Sequence, residues 1–186
     1  MERVNKIWNH PVYQEQFRLI QQSEKDRIFC KHTLEHFLDV ARISWIYNLE
    51  EGSGIDKELI YAAALLHDIG RYLQLTEGIP HQQAGADLAG ILLPQCGFCK
   101  EETAQIISAI REHRSAPFTQ THSQACVKPD GSPGKTADSS EKPDGSSGKL
   151  AEYLYRADKQ SRCCFACPSR PSCNWSDEKK NLTIKL

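Results

Sequence analysis

A histidine and an aspartate stand side by side at the end of the apolar run AAALLHDIGRY, as His67 and Asp68. Two polar groups at the buried end of a helix are costly unless something pairs with them, and a cation supplies such a partner. Adjacent helical side chains, separated by about 100°, can bracket one ion from the same side. Imidazole and carboxylate together suit Fe, Mn, Zn or Mg. This segment therefore predicts a metal site.

Three more groups of the same chemical types can be related to this pair. His81 opens a second helical segment and His113 closes a third. Asp158 lies in LYRADKQSR, where the spacing of Leu154 and Ala157 indicates that it faces the core. A helical fold could bring these side chains to the same place as the His-Asp pair.

The remaining histidines have a plainer interpretation. His32 and His36 are four residues apart and share one helical face. Without the glutamate of an HExxH motif, however, such a pair is weak evidence for metal binding. A lone histidine is more often a hydrogen-bonded or helix-end group than a ligand. We interpret His10, His32 and His122 in this way, with His32 kept as an alternative ligand because it shares the face of His36.

Helical periodicity dominates the elements that must position these side chains. Apolar residues recur at intervals of three and four, and alternating strand patterns are absent, as are the glycine loops GxxxxGK and GxGxxG. The sequence therefore predicts an all-α fold. The predicted helices lie near residues 11–22, from Ser23 to about Leu49, from the N-cap Asp56 to Gly70, from Pro80 to a stop at Pro94, near 100–113 and near 150–162.

One segment and one terminus depart from this pattern. Residues 122–149 contain the repeat KPDGSPGK and KPDGSSGK and almost no apolar side chains, so we interpret them as a flexible insertion; a recognition element is the alternative. At 186 residues the chain is long enough for one domain with a core. We predict one domain over residues 1–162 that carries this insertion, followed by a Cys-rich tail over residues 163–186.

Composition restricts the partners. The 23 lysines and arginines nearly balance the 24 acidic residues, so no overall charge favours a nucleic acid or an anionic membrane as the partner. The N-terminal stretch has no apolar signal segment, and no run of about 18 apolar residues occurs. We expect a cytoplasmic protein without a membrane segment, in which the eight cysteines are reduced thiols or metal ligands.

The tail contains the thiols that could form a second site. Cys163, Cys164, Cys167 and Cys173 occur in SRCCFACPSRPSCNW, where a CxxC is followed six residues later by another cysteine. Such spacing can hold Zn or an iron–sulfur cluster, with Cys163 or another thiol as the fourth ligand. A second CxxC, PQCGFCKEE with Cys96 and Cys99, would complete a tetrahedral site if the two loops meet. The alternative is a set of reduced thiols in a terminal cap.

The HD-containing segments, taken in order, resemble the HD-domain superfamily of metal-dependent phosphohydrolases. The likeness depends on EHFLDVA, LLHDIGR, HQQAGAD, AIREHR and YRADKQSR, and it runs from about residue 24 to 162 outside the insertion. It implies an HD-domain helical bundle. The HQQAGAD and AIREHR helices look similar to those of the symmetrical diadenosine tetraphosphate hydrolases.

The resemblance also implies roles for individual residues. His36, His67, Asp68 and Asp158 match the ligands of a first metal, while His81 and His113 match those of a second, with Asp68 as the bridge. Two ions, of Fe, Mn, Co or Mg, would supply a hydroxide and hold a phosphate in line.

Cationic side chains follow three of the ligand segments. Arg71, Arg114 and Lys159 come directly after them, so we expect all three to bind substrate, and Arg71 and Lys159 to act in catalysis with Asp68. The alternative for each is a helix-end charge that complements the helix dipole. The expected function is hydrolysis of a small phosphorylated compound such as a nucleotide; the alternative is a noncatalytic metal- or redox-sensing module.

Overall fold

The computed structural model describes residues 1–114 and 145–184 of the chain. Within these residues the chain forms α-helices and short 3-10 turns, and no strand occurs in them. This confirms the predicted all-α fold. The helices are α1 (Glu2–Trp8), α2 (Pro11–Ser23), α3 (Leu34–Glu50), α4 (Lys57–Leu66), α5 (Arg71–Glu77), α6 (His81–Gln95), α7 (Lys100–Glu112) and α8 (Gly145–Gln160).

Capping side chains explain where two of the helices begin. The Asp56 carboxylate accepts a hydrogen bond from the Glu58 amide at 2.9 Å, which confirms the predicted start of α4. The predicted start of α3 at Ser23 is wrong, because the N-cap is Thr33. Its hydroxyl accepts from the His36 amide, and residues 24–33 form an irregular segment before it.

Two other predicted boundaries are also corrected, and two helices were not predicted. Helix α4 ends at Leu66, and α5, which the sequence did not predict, begins directly after Gly70. Gly70 has a φ of −80°, so it does not serve as a left-handed stop. Pro94 lies inside the last turn of α6 and does not end it before Gln95. Helix α1 was not predicted either.

Helix α4 lies at the centre of the domain. Most of its residues are buried, and it contacts α1, α3, α6, α7 and α8. Around it, α3 packs against α8, α8 against α7, and α7 against α6. Each large side chain fully buried in this core contributes about 1.5–3 kcal/mol to folding. The largest of them are Tyr13, Tyr153, Phe37, Ile7, Ile20, Ile60 and Leu66. The His-Asp pair therefore directly follows a helix that is almost entirely buried in the core.

The predicted insertion over residues 122–149 lies outside the described residues, except for its last five positions. Residues 145–149 begin α8, so this helix starts earlier than the predicted residue 150. The Lys149 ammonium pairs with Glu51 at 3.0 Å and with Glu152 at 3.3 Å, which holds this first part of α8 against α3. In the described parts of the chain, no helix is long and apolar enough to cross a membrane.

Candidate metal centre

The Asp68 carboxylate lies at the centre of a buried group of histidines. Its Oδ2 atom is 3.3 Å from His67 Nε2 and 3.9 Å from His36 Nε2. Its Oδ1 atom is 3.1 Å from His81 Nε2 and 3.8 Å from His113 Nε2. The two oxygens of one carboxylate thus face two different sets of histidines.

Two donor sets follow from this arrangement. The donor atoms of His36, His67, Asp68 and Asp158 all lie within 4.8 Å of one another, and so do those of Asp68, His81 and His113. Each set could hold a metal ion, and Asp68 belongs to both. The six residues predicted as ligands from the sequence are therefore brought together in one place.

Backbone carbonyls orient the two histidines that follow helix ends. His67 Nδ1 donates to the Ala64 carbonyl at 2.7 Å, and His113 Nδ1 donates to the Ile110 carbonyl at 2.6 Å. Each ring therefore carries a proton on Nδ1, and its Nε2 atom faces Asp68. Outer hydrogen bonds of this kind set the orientation of metal-binding histidines.

Side chains orient the other two histidines. His81 Nδ1 lies 2.6 Å from Gln74 Oε1 and can donate to it, and His36 Nδ1 lies 3.1 Å from the Ser161 hydroxyl. Gln74 comes from α5, the helix that the sequence did not predict. The Nε2 atom of His81 therefore faces Asp68, and that of His36 faces Asp68 and Asp158.

The residues present fit a divalent metal. Among the described residues, the buried Nε2 atoms of His36 and His67 have no hydrogen-bond partner. Buried polar atoms in proteins are almost always paired, so these two atoms require one. Nitrogen and carboxylate oxygen donors suit Fe, Mn, Zn or Co.

Burial and charge place these groups in the protonation states that metal binding needs. Burial lowers the pKa of His36 and of His113 to about 4 and that of His81 to about 3, so all three are neutral at pH 7. Burial acts to raise the pKa of Asp68, but the surrounding histidines hold it well below its usual value. The carboxylate is therefore charged.

His67 behaves differently from the other three histidines. Burial disfavours its charged form, but the Asp68 carboxylate outweighs this and raises the pKa of His67. In the protein alone, a proton on His67 thus compensates the buried Asp68 charge. A bound cation would replace that proton, because it meets the same charge more completely.

His32 lies beside the centre but is in neither donor set. Its Nε2 lies 3.3 Å from Asp68 Oδ2, and its Nδ1 lies 2.6 Å from the buried Glu24 carboxylate. Glu24 also accepts from the His32 amide at 2.7 Å. His32 is thus a hydrogen-bonded histidine that contacts the shared carboxylate, and His10 acts as the N-cap of α2. His122 lies outside the described residues.

Two cations hold the Asp158 carboxylate in position. Its Oδ1 lies 3.7 Å from His36 Nε2, while its Oδ2 pairs with Lys159 at 2.5 Å and with Arg162 at 3.3 Å. Burial acts to raise the pKa of Asp158, but these cations and His67 lower it to about 2. Sequence reasoning selected Lys159 and missed Arg162. The signal for Arg162 was its i,i+4 spacing from Asp158, which places both on one helical face.

The donor sets lie on the wall of a large cavity, here called the metal cavity, of about 1310 Å³. Nine lysine and arginine side chains line it against three carboxylates, so it favours an anion. Arg71 is among them, and its guanidinium donates to Gln74 at 3.1 Å, beside His81. The cationic residues are Arg27, Lys31, Arg71, Arg114, Arg156, Lys159, Arg162, Lys179 and Lys180.

Glycines allow the two donor sets to approach each other. A Cβ at Gly70 would lie 2.4 Å from the His81 carbonyl oxygen and 2.6 Å from the Gly85 amide nitrogen. A Cβ at Gly85 would lie 3.1 Å from the Leu66 carbonyl oxygen. Only residues without a side chain permit this contact between the HD turn and the start of α6, which brings His81 to Asp68.

The cysteines divide into two groups. Cys96 is buried in the hydrophobic core and Cys99 is the N-cap of α7, and neither lines the cavity that holds the tail cysteines. The suggestion that they complete a site with the tail is therefore wrong. The tail thiols line a second cavity of about 310 Å³, here called the cysteine cavity, which also contains Cys30.

The helical fold and its buried His-Asp centre are those of a class of protein that can bind divalent ions, and comparisons with known proteins identify its family. The family model of the HD domain matches residues 33–162. An uncharacterized protein from Clostridium beijerinckii is 39% identical over 187 residues, covering 99% of both chains. A shorter segment of 78 residues is 33% identical to ribonuclease Y of a Sulfurovum species, covering 42% of this chain and 15% of that protein.

Among solved structures, a predicted HD superfamily hydrolase from an uncultured Thermotogales bacterium has a similar fold. The TM-score is 0.54 at 23% identity, over 90% of this chain and 80% of that chain. The chain belongs to the HD domain family. At the level of the superfamily, this membership supports a metal-dependent phosphohydrolase that acts on a small phosphorylated substrate.

Proposed function

We propose that this protein hydrolyses a phosphoester or phosphoanhydride bond of a nucleotide, using two divalent ions held on either side of Asp68. The observation that carries the proposal is the division of the Asp68 oxygens between two sets of donors. A carboxylate arranged in this way is suited to bridge two ions. Its position on the wall of a cation-rich cavity supports an anionic substrate.

His36, His67 and Asp158 would complete the first ion's ligands, and His81 and His113 the second's. Bound ions at these positions supply a nucleophilic water at neutral pH and neutralise phosphoryl oxygens. The protein itself holds these five side chains in fixed orientations through the hydrogen bonds and ion pairs described above. Such preorganisation is what the chemistry requires of the protein.

The cationic residues of the metal cavity have separate roles. Arg71 is fixed by Gln74 next to His81, so its guanidinium is positioned to bind a phosphate near the second ion. Arg114 follows His113 and lines the same cavity. Lys159 and Arg162 pair with Asp158, so their first role is to keep that ligand charged. A second role for these two in substrate binding follows from their place on the cavity wall.

A dinucleoside polyphosphate is the substrate that we favour within this class. Tyr155 and Trp175 line the metal cavity, and aromatic rings can stack on a nucleobase. The volume of about 1310 Å³ exceeds what a mononucleotide needs. The likeness of the α6 and α7 segments to symmetrical diadenosine tetraphosphate hydrolases points to the same class.

The test combines metal content with turnover. The Asp68→Ala protein should lose bound metal and activity together, because both donor sets lose a shared ligand. His10→Asn is the matched control, since it replaces a histidine outside the centre by another good N-cap residue. Full activity in metal-free Asp68→Ala protein would refute the proposal.

A substrate screen tests the substrate class. Wild-type protein with quantified metal is assayed with Mn, Fe, Co and Mg against dinucleoside polyphosphates, nucleoside monophosphates, cyclic nucleotides and a short RNA. Turnover that is highest with a dinucleoside polyphosphate is expected. Highest turnover of the RNA would instead assign the activity suggested by the segment that is similar to ribonuclease Y, and it would contradict a small substrate.

A further inference from the structure

A cavity lined by cysteines lies beside the metal centre and shares His36 with it, but its thiols belong to neither donor set around Asp68. Three 3-10 turns follow α8, and the first two end at a cysteine: Cys164–Ala166 ends at Cys167, and Arg170–Ser172 ends at Cys173. Cys30, in the irregular segment before α3, lines the same cavity. Residues more than 130 positions apart in sequence thus bring five thiols, including Cys163, to one cavity.

Hydrogen bonds rather than apolar contacts hold this tail in place. None of the residues in the three 3-10 turns is buried. The Ser169 hydroxyl donates to the Ile28 carbonyl at 2.9 Å, and the Asn181 amide donates to the Arg162 carbonyl at 2.8 Å. Trp175 packs under the Arg162 guanidinium at 4.0 Å. A segment with so little apolar burial is of the kind that proteins stabilise with a metal or a crosslink.

The thiols are too far apart for a single tetrahedral ion. Within the described residues, the sets of three or more donor atoms that lie within 4.8 Å of one another are the two at Asp68, and neither includes a cysteine. Zinc holds its sulfurs at about 2.3 Å, which brings the thiolates within about 4 Å of one another. An iron–sulfur cubane keeps its four thiolates further apart, because the irons and sulfides lie between them. The cysteine cavity of about 310 Å³ provides space at this position.

The charges around the cavity fit a cluster with thiolate ligands, which is an anion. Four cations line it against two carboxylates: Lys31, Arg162, Arg170 and Lys180 against Glu35 and Asp39. Among the described residues, Arg162 Nη1 is buried and has no hydrogen-bond partner. Cys30 lines this cavity together with Cys164 and Cys167, the two cysteines of the CxxC.

We propose that Cys30, Cys164, Cys167 and Cys173 bind a [4Fe–4S] cluster. The fourth ligand is then Cys30 and not Cys163. Both thiols are exposed and both line the cysteine cavity, but Cys30 also lines the metal cavity together with Cys164 and Cys173, whereas Cys163 does not. Cys30, Cys164 and Cys173 also line the metal cavity. The cluster would thus fix one wall of the cavity in which the substrate binds, without providing a ligand to the ions at Asp68.

The test is the content of acid-labile sulfide. Full-length protein is purified without oxygen, incubated with ferrous iron and sulfide, desalted, and analysed for iron, sulfide and zinc. About four sulfides per chain are expected, as a [4Fe–4S] cluster carries. Ions at Asp68 contribute no sulfide, so this measurement is independent of the proposed hydrolysis, and Asp68→Ala protein should retain its sulfide.

Serine variants identify the ligands. Cys30→Ser and Cys173→Ser should lose the sulfide, while the matched controls Cys163→Ser and Cys99→Ser should keep it. Helical circular dichroism equal to that of the wild type shows that a variant is folded. The proposal is overturned if wild-type protein binds zinc or iron without sulfide, or if Cys163→Ser loses the cluster while Cys30→Ser retains it.

Discussion

The Gly70→Ala substitution tests whether the second donor set depends on the close contact between the HD turn and α6. The new Cβ would lie 2.4 Å from the His81 carbonyl oxygen and 2.6 Å from the Gly85 amide nitrogen. Both are backbone atoms, so no change of rotamer can relieve the clash. Ordinary contact begins at 3.4 Å, so the start of α6 must retreat from 2.4 Å by about 1 Å.

This displacement has a cost in stability and a larger cost in activity. Overpacking costs about 1–3 kcal/mol, and we expect about 3 kcal/mol here because backbone must move. Since domains of this kind are stable by about 5–15 kcal/mol, the variant should still fold. A displacement of about 1 Å at a catalytic group can reduce turnover about 100-fold. His81 moves with the helix, so we expect kcat to fall by about that factor.

Metal titration separates this effect from general destabilisation. Calorimetric titration of metal-free Gly70→Ala protein should show weakened binding of one ion and near-normal binding of the other. Gly90→Ala is the matched control. Gly90 lies in α6, the helix that Gly70→Ala displaces, and its Cβ would meet Ile107 at an ordinary 3.6 Å. It should be as stable as the wild type or up to about 1 kcal/mol more stable. Two ions bound with wild-type affinity by Gly70→Ala would refute this reasoning.

Three further substitutions test other contacts. Glu24→Gln removes the carboxylate that orients His32, and it should weaken metal binding about 10- to 100-fold in a calorimetric titration. Arg71→Gln removes a charge-assisted contact worth about 1.5–3 kcal/mol, so KM should rise about 10- to 100-fold in steady-state assays, whereas a fall in kcat alone would assign it to the transition state. Burial acts to raise the pKa of Glu58, but Arg3 and the N-terminal ammonium lower it to about 2. The stabilisation is therefore present above about pH 4.5 and lost as the pH falls towards 2, so urea unfolding should show a deficit for Glu58→Gln at pH 7 that shrinks below pH 4.5.

The sequence predicted the elements whose signals are local. The apolar spacing of α3 and α4, the N-cap at Asp56 and the pair of polar groups after α4 are each contained within a few residues. His67, Asp68, His81, His113 and Asp158 were singled out because each follows or opens a helix or faces the core in the linear pattern, whereas His36 was assigned as a ligand only through the resemblance to the HD-domain superfamily. All-α architecture followed from the same periodicity.

The sequence could not predict features that depend on contacts between distant segments. His32 reaches Asp68 because Glu24 holds residues 24–33 out of a helix, and a helical reading of that segment misplaced the start of α3. Gly70 resembles a helix stop in sequence, yet it is required because α6 passes within 2.4 Å of a Cβ there. The sequence could not predict that Cys30 lies on the same cavity as the tail cysteines, because this depends on the packing of α8 against α3.

Most residues of the two donor sets come from different helices of the bundle, so a substitution can alter one set at a time. His36 and Asp158 come from α3 and α8, which are joined by the Glu51–Arg156 pair at 2.5 Å. His81 and His113 come from α6 and α7, whose approach to α4 depends on glycines. Asp68 alone belongs to both sets. A substitution in α3 or α8 therefore alters one donor set directly and a substitution in α6 or α7 the other, and among the described residues Asp68 is the one whose loss removes a donor from both sets.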